Sequence, residues 1–355
     1  MRGFVYEALP MRVRFAPGAI ADIPVEMDHL GLSRVLVLAT PEQRELAEHV
    51  AAGLGARAAG VFAEARMHVP FEVAQRAGYE AGRLGADGCV AIGGGSTIGL
   101  GKAIALRLGL PIIAVPTTYA GSEMTPIWGL TEDGEKRTGR DPRVLPASVV
   151  YDPALTTTLP PGLSMTSAVN AMAHAVEALY APDSSPIISL MAEEGVRALA
   201  GAIPLVLADG LANEARSAAL YGAWLCGACL GATTMSLHHK ICHGLGGTLD
   251  LPHAATHTVM LPHVLAYNQE FAPGARSALC RALDAAGDPA LQLWDMLQDW
   301  GAPTSLRELG MRREYISRIV SLTLANPYAN PRLVTAETLT GLLTRAWAGD
   351  RPDAD

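Results

Sequence analysis

The first 150 residues repeat one pattern that leaves few folds open: a short unbroken apolar run, a Gly or Pro stop, then a helix-periodic stretch. Residues 34–39 (RVLVLA) stop at Thr40-Pro41, and residues 88–92 (GCVAI) stop at Gly93-Gly94-Gly95. Residues 111–116 (PIIAVP) and 148–151 (SVVY) supply a third and a fourth run. Apolar runs without polar alternation, separated by helices, are strands of a parallel sheet covered on both faces. The pattern predicts an α/β nucleotide-binding domain. After Pro160-Pro161 the strand signals fade. Helical patterns cover 162–181, 186–208, 212–237, 254–268, 274–286, 288–299, 312–325 and 335–347. The expected organisation is therefore an α/β domain with a parallel sheet over 1–155 and an all-helical domain over 156–355, ending in a frayed tail from 350 to 355.

Composition narrows the function. Half of the chain is hydrophobic and 17% is charged, enough apolar surface to collapse and too much for a disordered scaffold. The net charge of −8 argues against a phosphate-backbone partner, so no nucleic acid is expected. Five cysteines and no secretory-type start point to free thiols in the cytoplasm. Cys226 and Cys229 have the spacing of redox or zinc pairs, but two small residues on a buried helix face explain them better. Residues 217–237 carry no charge and are long enough to span a bilayer. Their Gly, Ser and Thr content fits a buried core helix, so no membrane partner is expected.

Two strand-to-helix turns look like a dinucleotide site. Gly93, Gly94 and Gly95 let a phosphate approach the backbone, and the following helix offers free N–H groups and its positive dipole end. Ser96 is expected to cap that helix and donate a hydroxyl. Thr117 and Thr118, in PTTYAGSE after the third run, offer two neighbouring hydroxyls for a diphosphate or ribose. A tight turn with ordinary capping would use the same residues.

Six of the ten histidines fall between residues 238 and 263: His238, His239, His243, His253, His257 and His263. His239 and His243 are four apart, on one helix face, as are Asn170 and His174 in SAVNAMAHAVE. His253 follows Pro252 across a Gly-containing loop and can fold back beside them. Two imidazoles on one helix, one past a turn and one from an earlier helix have the look of a metal site. His238, His257 and His263 are expected to be structural.

The ordered set GGGS, PTT…GSE, N-x-x-x-H, H-x-x-x-H and PH-x(8)-PHVLxxN resembles the iron-containing alcohol dehydrogenase superfamily, related in fold to dehydroquinate synthase. The resemblance spans roughly residues 10–347. It implies that the first half binds NAD(P), and that the usual metal ligands, an aspartate and three histidines, fall at Asn170, His174, His239 and His253. It also implies that His243 lies near the nicotinamide and that Lys136 contacts the cofactor. The departures matter more. The aspartate ligand is Asn170, Gly99 stands where the glycine loop usually continues to an aspartate, and Thr40 stands where the second strand often ends in an acid. With GGGST-x-GL, VPTTYAGSE and TGRD-x-x-VLP, these departures resemble the maleylacetate-reducing branch of the superfamily.

That branch implies reduction of the C=C bond of an enone dicarboxylate by NADH or NADPH, in the degradation of aromatic compounds. Hydride addition to an enone yields an enolate, far less basic than the alkoxide formed from a simple ketone. Hydrogen-bond donors can then replace a metal, and Asn170 lacks the anionic oxygen a divalent cation prefers. A divalent metal is therefore expected to be absent. Asn170, His174, His239 and His253 would hold substrate oxygens, and His243 would donate the proton. Arg137, Arg140, Lys240 and Arg332 are candidates for the substrate carboxylates. Without an acid at Thr40, both dinucleotides should be accepted. The resemblance also implies a homodimer. The competing reading is a metal-dependent alcohol or polyol dehydrogenase of the same superfamily. A non-catalytic nucleotide binder would have no need of the histidines.

Overall fold

The computed structural model describes Phe4, Tyr6 and residues 8–132 and 135–353. The chain forms two compact units, Ala8–Leu159 and the residues from Pro160 onward, the latter joined by Phe4 and Tyr6.

The first unit is built on a parallel sheet of six strands: β1 (Arg12–Phe15), β2 (Val35–Leu38), β3 (Ala58–Phe62), β4 (Gly88–Gly93), β5 (Ile112–Pro116) and β8 (Ser148–Tyr151). Their spatial order is β1-β8-β5-β4-β2-β3. Sequence reading expects four strands. The two it misses are the edges. In β1 the apolar pattern is broken by Arg12 and Arg14, which lie outward in ion pairs with Glu26 (2.9 Å) and Asp22 (2.6 Å). β3 is written in Ala and Gly, with Val61 and Phe62 at its end. A further hairpin, β6 (Ile127–Glu132) and β7 (Glu135–Arg140), pairs antiparallel outside that sheet.

Inner strands β2, β4, β5 and β8 are buried along their whole length, which is why they read as continuous apolar runs. Four helices accompany the strands: α1 (Ile23–His29), α2 (Arg44–Leu54), α3 (Phe71–Arg83) and α4 (Gly95–Leu108). The register aligns Leu38 with Ala91 and Gly93 with Pro116. Thr40, the glycine triplet and Thr117 therefore leave the sheet at one edge, the carboxyl ends of adjacent strands.

The second unit holds nine helices among the described residues: α5 (Pro161–Tyr180), α6 (Pro186–Ala208), α7 (Asn213–Ala232), α8 (Leu237–Leu249), α9 (His253–Gln269), α10 (Pro273–Leu283), α11 (Pro289–Asp299), α12 (Ile316–Leu324) and α13 (Ala336–Ala348). α5 is buried almost end to end. The uncharged 217–237 stretch is not one helix. α7 ends at Ala232, and α8 starts after a break at an angle of 96°. No single described helix is long and apolar enough to cross a membrane. The small residues of α7 serve close packing instead. A Cβ at Gly222 would come within 2.9 Å of the Gly195 carbonyl oxygen on α6. Cys226 and Cys229 are buried there. Leu237, Ile241 and Leu245 of α8 pack with Val259 and Met260 of α9 and with Ile319 and Leu343 of α12 and α13. This core fixes α8 and α9, the two helices that carry most of the histidines.

Candidate active site

The glycine turn of the first unit is a cradle that side chains would fill. Gly93 has φ 151°, and a Cβ there would run into Thr97 Oγ1 and stand 2.8 Å from Gln43 Oε1. A Cβ on Gly94 would stand 2.9 Å from Thr118 Oγ1. Gly95 is open, its nearest neighbour the Ala120 Cβ at 3.9 Å. Ser96 is not the cap expected of it. α4 starts one residue earlier, at Gly95, so Gly94 is the N-cap and no side chain bonds the first N–H groups. Those N–H groups are left for an anion.

Thr117 is buried and accepts from Gln43 Nε2 at 2.8 Å. Gln43 thus ties the turn after β2 to the turn after β5 and packs its Oε1 against Gly93, a role sequence reading missed. Thr40 begins the short 3-10 turn over Pro41–Gln43. The nearest acid, Glu42, is held below the usual carboxylate range by its own backbone N–H and by the Thr40 hydroxyl. Lys136 pairs with Thr131 in the hairpin, and its side chain lies outside the described residues. Gly99 is explained by packing: a Cβ there would come within 2.8 Å of Val69 Cγ2. Val69 itself has φ 47°, rare for a β-branched residue. Its carbonyl accepts from Thr131 N at 3.1 Å.

A second buried group in this unit also escaped sequence reading. Lys102 of α4 donates to Ser122 O (2.6 Å), Thr125 Oγ1 (2.9 Å) and Ile127 O (2.8 Å). Burial lowers its pKa to about 7, with nearby Glu123 opposing. The ammonium pins the end of the PTTYAGSE turn to the helix that begins at the glycines.

In the helical unit the imidazoles form one contiguous cluster. His174 Nδ1 lies 2.8 Å from His239 Nε2, and His239 Nδ1 lies 2.7 Å from Glu177 Oε2. Glu177 also accepts from Ser236 N (2.8 Å) and His238 N (2.6 Å). The carboxylate of α5 therefore caps α8 from outside, because the Ser236 side chain bonds Ala329 O and Asn330 instead. It also assigns the His239 tautomer: Nδ1 donates to Glu177, and Nε2 accepts from His174. Burial raises Glu177 to about 7 against these N–H donors, and it lowers His239 to about 3.

His257 extends the cluster. Its ring centroid is 5.1 Å from His239 and 4.4 Å from His253, and its Nδ1 is 2.9 Å from His238 Nε2. His238 and His257 are thus buried members of the cluster rather than isolated helix residues, and His263 stands apart against Trp294 at 5.6 Å. His243 is exposed, 6.0 Å from His239 between centroids. His253 is the exposed first residue of α9, and the glycines expected in a loop before it, Gly244, Gly246 and Gly247, belong to α8. Asn170 is buried one helical turn before His174, and its Oδ1 has no hydrogen-bond partner. The structure thus brings together His174, His239, His243 and His253 from three helices, with Asn170 on α5 one turn before His174.

These residues, as arranged, do not fit a divalent iron. Two imidazole nitrogens on one tetrahedral ion at about 2.1 Å stand about 3.4 Å apart. Here His174 and His239 share a hydrogen bond at 2.8 Å, which occupies the His239 Nε2 lone pair. Asn170 contributes no charge where a hard cation wants a carboxylate. His238, Cys242 and His257 place their donor atoms within 4.8 Å of one another. Yet His238 Nδ1 and His257 Nε2 are buried without hydrogen-bond partners, whereas metal-bound imidazoles anchor the second nitrogen. Burial also raises the Cys242 thiol. The trio is a hydrogen-bonded pair with a neighbouring thiol.

A sheet edge with a phosphate cradle in one unit and clustered histidines in the other define a class, and comparison with known proteins names it. Residues 10–153 match the iron-containing alcohol dehydrogenase model, and residues 164–347 match the C-terminal model of the same family. The chain belongs to the iron-containing alcohol dehydrogenase family and is an oxidoreductase. Within it, the chain is 54% identical over 349 residues to the maleylacetate reductase of Sphingobium indicum, covering 98% of this chain and 99% of that one. It is 54% identical over 352 residues to that of Burkholderia cepacia, covering 99% and 100%. The crystal structure of maleylacetate reductase from Agrobacterium tumefaciens superposes with TM-score 0.97 at 52% identity, covering 99% of this chain and 100% of that one.

Proposed function

We propose that this chain reduces the C=C bond of maleylacetate with NADH or NADPH, giving 3-oxoadipate, without a metal. One observation carries the metal-free chemistry: the positions that hold a metal elsewhere in the family hold a neutral amide, Asn170, and two imidazoles bonded to each other.

A dinucleotide fits the first unit, where the Gly93–Gly95 cradle and the uncapped α4 N-terminus would take its diphosphate. Gln43, Thr117 and Thr118 shape that cradle, and Thr40 would adjoin the adenosine ribose. When bound, the dinucleotide supplies a hydride. In the helical unit, charge developing on the enone oxygen calls for neutral donors rather than a cation, because an enolate is delocalised. The Asn170 amide N–H and the His253 imidazole are suited to hold the substrate's oxygens, while His174, whose N–H is given to His239, presents only an acceptor nitrogen. His239 cannot do so freely, since both its nitrogens are spoken for; it orients His174. His243, exposed on α8 with His239, would give the substrate carbon its proton.

The test is product identity. Maleylacetate and NADH with purified protein should yield 3-oxoadipate, with the ketone intact by NMR. A hydroxy diacid with the alkene intact would mean ordinary carbonyl reduction. Turnover of simple alcohols on adding iron would favour the metal-dependent dehydrogenase instead.

A further inference from the structure

The diacid needs cationic anchors, and the candidate cations differ in what already holds them. Arg332 is stacked on Tyr267 at 4.4 Å and Phe271 at 5.5 Å from their ring centres. Arg137 pairs with Glu132 at 3.1 Å on the hairpin of the other unit. Lys240 differs. It sits on α8 directly after His239 and three residues before His243, so it shares the His243 side of the helix. It is half-buried and forms no ion pair among the described residues.

Its ammonium lies 5.8 Å from the centre of the Tyr328 ring. The Tyr328 hydroxyl is itself buried without a hydrogen-bond partner. Burial pushes that phenol up to about 12, which keeps it a donor. A cation without an ion pair, over a ring whose O–H is unsatisfied, is the complement of an anion. The surroundings are open as well. Gly244 and Gly247 flank Lys240 and His243 on the next two turns. A Cβ on Gly247 would meet nothing within 4 Å, and one on Gly244 only Ile319 Cγ2 at 4.0 Å.

We propose that Lys240 and the Tyr328 hydroxyl form a carboxylate-binding subsite that takes one carboxylate of the enone diacid and presents its carbon chain to His243. The subsite rests on the enone-diacid reading above and adds the residues that select for the charge.

The test compares kcat/KM for maleylacetate with that for its uncharged dimethyl ester, in wild type, Lys240→Met, Lys240→Arg and Tyr328→Phe. Lys240→Met should lower kcat/KM for the diacid about 10–100-fold, mostly through KM, and leave the ester within about threefold. Lys240→Arg should restore part of the loss, and Tyr328→Phe should lose less than Lys240→Met. The ester also reports whether each variant is folded. Equal losses on diacid and ester, or no loss on either, overturn the subsite. A wild-type protein that leaves the diacid unreduced overturns the enone-diacid reading itself.

Discussion

Glu177 Oε2 lies 2.7 Å from His239 Nδ1, and the same carboxylate closes the N-terminus of α8 through the backbone N–H groups of Ser236 and His238. One buried acid thus sets both where the helix begins and which nitrogen of its histidine carries the proton. Glu177→Gln keeps the shape but turns an N–H₂ toward donors. It should lower kcat about 10–100-fold, the usual scale for losing a group that orients an imidazole. The Kd for NADH, measured by fluorescence titration, should not change, because the dinucleotide cradle lies in the other unit. An unaltered kcat would show that the tautomer does not matter.

The glycine cradle makes a local prediction. Gly93→Ala forces an alanine to φ 151° and against Thr97 and Gln43. It should raise the KM for the dinucleotide roughly tenfold or more and leave the KM for the diacid alone. Gly109, with φ 70° at the far end of α4 and nothing within 4 Å of its Cβ position, is the control. Gly109→Asn should leave both constants unchanged.

Cofactor choice follows from Thr40. No carboxylate ends β2, and that of Glu42 is engaged with its own N–H and Thr40. NADH and NADPH should therefore give kcat/KM values within about tenfold of each other. Thr40→Asp should favour NADH by repelling the 2′-phosphate.

His263 gives a pH prediction away from the cluster. Burial holds its folded pKa at about 3, against about 6.5 unfolded. The unfolded state therefore binds the proton first, so stability is full above about pH 6.5 and declines as pH falls toward 3. His263→Gln should flatten the curve of unfolding free energy by about 1.4 kcal/mol per pH unit in that window. Urea titrations at pH 5 and 7 read the difference directly.

The sequence shows what is local and hides what is paired at a distance. β2, β4, β5 and β8 are legible because burial on both faces leaves them no polar residue to alternate with. β1 is hidden by two arginines that an edge strand can point outward, and β3 by its small residues. The glycine turn and the paired Asn170/His174 and His239/His243 are visible as spacings. Glu177 is not, since its partners lie some sixty residues on and nothing beside it in sequence marks it as a cap. Gln43 escapes for the same reason, and so does the pairing of His238 with His257. Ser96 misled because the helix begins one residue before it, with glycine as its cap.

The most direct measurement is NADH oxidation with maleylacetate by protein dialysed against a strong chelator, with iron and zinc content determined on the same sample. Full turnover at well under one metal per chain is the predicted result. Activity that disappears on chelation and returns with one equivalent of iron would contradict the account.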